Sequence, residues 1–68
     1  MKNYEIYLTL GERVTSFKSE WQFGESEQIF VHLTDSKRNF VIVHITHDVN
    51  EQGEHVARLY CQEKKVYY

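Results

Sequence analysis

Apolar residues fall on every second position at the start of the chain. Tyr4, Ile6, Leu8 and Leu10 point one way, and Glu5, Tyr7 and Thr9 the other. A period of two marks a strand with one buried face. The same pattern, or a dense β-branched and aromatic run, returns along the chain. No proline interrupts it, and the three glycines, Gly11, Gly24 and Gly53, stand between these segments, where they read as turns. The spacing predicts strands over 4–10, 13–23, 29–34, 39–46 and 55–62, with a bulge or bend near Ser19-Glu20 because the second is long for a strand. Phe30-Val31-His32-Leu33 lacks helical spacing, so no long helix is expected.

The expected fold is all-β: a small antiparallel five-stranded meander, a curled sheet or small barrel, with Val66-Tyr67-Tyr68 able to add a short sixth edge strand. A two-residue turn at Gly11-Glu12 would pair Leu8 with Thr15, Ile6 with Phe17 and Glu5 with Lys18. The turn at 35–38 would pair Leu33 with Phe40, Val31 with Ile42 and Ile29 with His44, placing His44 on the core face. The expected core is Ile6, Leu8, Phe17, Trp21, Ile29, Val31, Leu33, Phe40, Ile42 and Leu59. By parity Phe30, His32, Val41, Val43 and Ile45 share the opposite face, which is too apolar to be fully wet.

The 68 residues make one small domain, 1–68. Folding at this size buries only roughly 60% of the unfolded chain's surface. Cys61 is the single cysteine, so no intrachain disulfide adds stability, and a lone thiol suits a reducing compartment. The N-terminal residues lack the apolar stretch of a signal peptide, and no apolar run is long enough to span a bilayer. The expectation is a cytoplasmic protein with no membrane partner. The formal charge of −2 argues against gripping nucleic acid through phosphate neutralisation.

Gln28-Ile29-Phe30-Val31-His32-Leu33-Thr34 resembles the second RNA-binding segment of cold-shock domains, in which an aromatic and a histidine alternate along a strand. The resemblance implies a five-stranded barrel that stacks single-stranded bases on Phe30 and His32, with Trp21 as a further platform. It covers about a tenth of the chain. The Lys-Gly-aromatic-Gly-Phe run that precedes this segment in the family has no counterpart here.

Other chemistry has less footing. His47, Asp48 and His55 converge best for a metal, yet zinc needs about four ligands and the spacing signature is missing, so solvated loop histidines are the preferred reading. Cys61 falls on the apolar side of a strand, where a thiol acts as a small hydrophobe. Glu20, Glu25, Glu27 and Asp35 gather around the middle loop, which reads as a solvated loop before it reads as a mimic of a nucleic-acid backbone. No catalytic, cofactor or metal residues are assigned. The expected function is a non-catalytic protein-interaction module, a small accessory or phage-type inhibitor or regulator. Its partner would be another protein or a second copy in a homodimer, bound through Phe30, His32, Val41, Val43 and Ile45. Single-stranded nucleic-acid binding by a cold-shock-like barrel is the alternative.

Overall fold

The computed structural model describes residues 1–65. It contains five strands: β1 (Lys2–Leu8), β2 (Arg13–Ser19), β3 (Gln28–His32), β4 (Lys37–Val49) and β5 (His55–Lys64). They form one sheet in the order β2-β1-β5-β4-β3, strongly curled into a half-barrel. No helix is present among the described residues, so none is long and apolar enough to cross a membrane. The expected sixth strand at 66–68 lies outside the described residues.

The sheet is mixed. β1 pairs antiparallel with β2, and β4 with both β3 and β5, but β1 and β5 run parallel. This corrects the expected meander. β1 and β5 carry the unbroken inward triplets Tyr4, Ile6, Leu8 and Ala57, Leu59, Cys61, so they take the central positions. The more polar β2 and the short β3 take the edges. That choice suits the physics, because an edge strand keeps one row of backbone groups in water.

The core runs in rows across the concave face. Phe17, Tyr4 and Ala57 form one, Thr15, Ile6, Leu59 and Ile45 the next, and Leu8, Cys61 and Ile42 a third, with Ile29 against Phe40 beyond. Ile6, Phe40, Leu59 and Cys61 are fully buried. Tyr4, Phe17 and Phe23 stack and meet edge to face with centroids 5.0–5.7 Å apart, and the Tyr4 hydroxyl donates to the Trp21 carbonyl at 2.6 Å. Two residues expected in the core are outside it. Trp21 follows the end of β2 and is 63% exposed, and Leu33 sits in the β3–β4 turn at 52%. The concave face has room for the rings of Phe17 and Phe23, and Trp21 contributes its backbone instead.

Three registers differ from expectation, each for a local reason. The first turn is longer than two residues: Leu8 N–H donates to the Glu12 carbonyl and Gly11, at φ +98°, donates to Leu8. The turn moves the pairing by two, so Tyr4 meets Phe17 and Lys18 meets Asn3 rather than Glu5. The β3–β4 turn closes at Leu33–Ser36, so Ile29 meets Phe40, Phe30 meets Asn39 and His32 meets Lys37. Finally, β4 carries a bulge at Val43, between the pairs Ile42–Cys61 and His44–Tyr60. One extra residue reverses side-chain parity beyond it. Ile45 therefore packs against the core opposite Leu59, and His44 lies on the outer face beside Tyr60.

Candidate interaction surface

The bulge dismantles the expected apolar patch. Ile45 belongs to the concave face. Val43 is 44% exposed at the bulge itself. Val41 is half-buried between Gln28 and Gln62. Phe30 and His32 stand opposite Asn39 and Lys37 rather than Val43 and Val41, and the Lys37 ammonium sits 4.6 Å from the Phe30 ring centroid. These five residues do not form one continuous apolar surface.

The outer face is largely polar in its middle. Glu5 faces Arg58 at 3.2 Å and Arg13 at 3.5 Å, and Arg58 also meets Asp48 at 3.4 Å. Asp48, first, and Glu5 raise the Arg58 guanidinium above its usual range. This exposed lattice sets charge pattern more than stability.

The concave side holds a different feature. β2 and β3 are the two edges of the half-barrel, and no Cα of one comes within 8 Å of a Cα of the other. Paired strands sit about 4.8 Å apart, so one intervening strand would separate its neighbours by about 9.6 Å. The barrel is thus open along a seam too wide for β2 and β3 to pair. Thr15 and Phe17 from β2, Phe23 from the connecting loop, and Ile29, Phe30 and Val31 from β3 line a cavity of about 310 Å³ there, with Ile6 at its floor. The loop from β2 to β3 crosses from one edge to the other and is tied down at its far end. Gly24 N–H donates to the Glu27 carboxylate, Ser26 N–H to the Ile42 carbonyl and Ile42 N–H to the Glu27 carbonyl. Alternation along each strand shows which side chains face inward, but the seam arises from which strands end up as edges, and sequence gave no sign of it.

The histidines divide. His47 and His55 come together on the inward face: His47 is opposite Ala57, His55 is opposite Val49, and Nδ1 of His47 lies 2.8 Å from Nε2 of His55. Asp48, the expected third member, has the other parity and faces Arg58. No three metal-ligating side chains gather among the described residues. Cys61 is fully buried between Leu8 and Ile42, and burial pushes its thiol up to about 11. A thiol held protonated at neutral pH is a poor nucleophile.

The chain matches no protein-family model, no curated protein and no solved structure.

Proposed function

We propose that the chain is a non-catalytic protein-interaction module that receives an extended segment of a partner protein as a sixth strand between β2 and β3. The seam carries this reading: two free strand edges stand at least 8 Å apart across an apolar cavity of about 310 Å³. Free backbone groups on an edge pair readily with an added strand, and alternate side chains of that strand fill the pockets between. The topology also fixes the mode. β2 runs with β4, and β3 runs with β1 and β5. A strand inserted between them is therefore antiparallel to one edge and parallel to the other.

A second copy fits the seam less well. Every described strand already has at least one paired edge, so none enters a two-edged gap without leaving its own sheet. The ligand is instead an unpaired segment of another protein, of about five residues to match β3, with apolar residues at alternate positions to meet Phe17, Ile29 and Val31. The protonated, buried Cys61 supports a role without nucleophilic chemistry.

A displayed library of linear peptides tests the reading. Binders should share apolar residues at every second position, and their amide shift changes should map to β2 and β3. Thr15→Lys should abolish binding and leave the fold intact. Binders that perturb the outer face instead, or sedimentation showing a dimer whose contact covers the seam, would overturn it.

A further inference from the structure

We infer that His47 and His55 form a two-imidazole site for a divalent transition-metal ion, with Cu²⁺ bound most tightly. Their ring centroids are 5.0 Å apart and their nearest nitrogens 2.8 Å apart. Two ring radii just fill the difference, so the nitrogens lie almost on the line between the centroids. The rings meet edge to edge, not face to face, despite an interplanar angle of only 28°. Nδ1 of His47 and Nε2 of His55 thus point at one another and share one hydrogen.

Two imidazole nitrogens bound to one ion stand about 3–3.4 Å apart at metal–nitrogen distances of 2.0–2.1 Å. The pair needs only a few tenths of an ångström more separation and a turn of each ring to aim both nitrogens at a common point. Both side chains are exposed, so nothing packed resists that turn. The backbone beneath them is held by the β4–β5 ladder on either side, through His47–Ala57 and Val49–His55. The ion would displace the hydrogen between the rings, which moves to the far nitrogen of the same imidazole. A neutral pair then binds without net proton loss, whereas an imidazolium must first give up its proton.

The surroundings permit an ion and limit its affinity. The two histidines edge a cavity of about 230 Å³ that Gln22 and Lys2 also line. Gln22 from the β2–β3 loop lines the same cavity, and water completes the shell of an ion held by the two imidazoles. Lys2 opposes a cation, while Glu54 next to His55 favours one. Asp48 contributes no ligand, because it faces Arg58 on the other side of the sheet. Imidazole donors suit copper, nickel and zinc, and affinity for such sites peaks at copper.

Thermal melts with NiCl₂ and CuCl₂ test the site on the whole chain. At free metal a hundredfold above the dissociation constant, the melting temperature should rise by roughly 10 °C or more. His47→Ala and His55→Ala should each abolish the rise, and His44→Ala should keep it. Metal-free melts of the three variants establish that they fold. In the wild-type chain, substoichiometric Cu²⁺ should broaden amide signals around residues 47 and 55 first. A wild-type melt unmoved by millimolar metal, a rise that survives His47→Ala, or broadening centred on His32 or His44 would overturn the assignment.

Discussion

The bulge at Val43 makes two neighbouring substitutions behave oppositely. With unbroken alternation Val43 and Ile45 would share a face, and an aspartate would have similar effects at either. In the structure Val43 is 44% exposed, whereas Ile45 packs against the core opposite the fully buried Leu59. Ile45→Asp loses about 2 kcal/mol of apolar burial, and its half-buried, unpaired carboxylate brings the total to about 3–5 kcal/mol. A 68-residue chain holds about 3–10 kcal/mol in all at the usual stability per residue. Ile45→Asp should therefore leave the protein largely unfolded or close to it, whereas Val43→Asp should cost less than about 1 kcal/mol, as at an ordinary surface position. Urea denaturation followed by far-ultraviolet circular dichroism measures both. Trp21 fluorescence is a poor reporter because that ring is already 63% exposed. Equal losses in the two variants, or a larger loss at Val43, would refute the bulge and the parity reversal it imposes.

Two further outcomes follow from titrating groups. Cys61, buried and with its thiol pushed up to about 11, should resist alkylation at pH 8 in the native protein and react only as fast as the chain opens; rapid labelling under native conditions would contradict its placement. The Arg38 hydrogen bond holds the Glu63 carboxyl below its ordinary range, so its stabilisation is present above the unfolded carboxylate range and disappears as pH falls through the folded value. With both side chains about a third exposed, the contribution is under about 1 kcal/mol. Glu63→Gln should flatten the stability profile below about pH 5, and an unchanged acid slope in that variant would remove the pair from the account.

The centres of all five strands were legible because alternation depends only on local sequence. Ile6, Phe40, Ile42 and Leu59 were legible as core for the same reason. Register was not, because it depends on turn length. The extra residues at Thr9–Glu12 and the closure at Leu33–Ser36 moved two pairings while keeping the inward faces of β1 and β3. Parity failed past Val43, where a single unpaired residue carried Ile45 inward and His44 outward. It failed again at Val14, skipped between the pairs Ile6–Thr15 and Tyr7–Arg13, which packs against the core with Phe17 despite the opposite parity. Strand neighbours were the least legible of all. Alternation says which side of β1 is buried, and nothing in it says that the adjacent strand begins at His55. The seam between β2 and β3 follows from that parallel pairing, so it was hidden with it. His47 and His55 were grouped with Asp48 in a loop where solvated histidines were preferred; the extension of β4 to Val49 puts the two histidines on one face and Asp48 on the other.

The place of β5 between β1 and β4 also determines when this domain can fold during synthesis. The first four strands leave the ribosome as two separate hairpin fragments, β1–β2 and β3–β4, which share no paired edge. Until β5 emerges, Ile6, Phe40 and Ile42 have no common core and both fragments expose apolar faces and open edges. Long-range pairing of this kind is slow and leaves nascent chains prone to aggregate. A stop codon within 50–54 thus yields not a smaller version of the domain but two unjoined hairpins, and β5 is the strand that joins them.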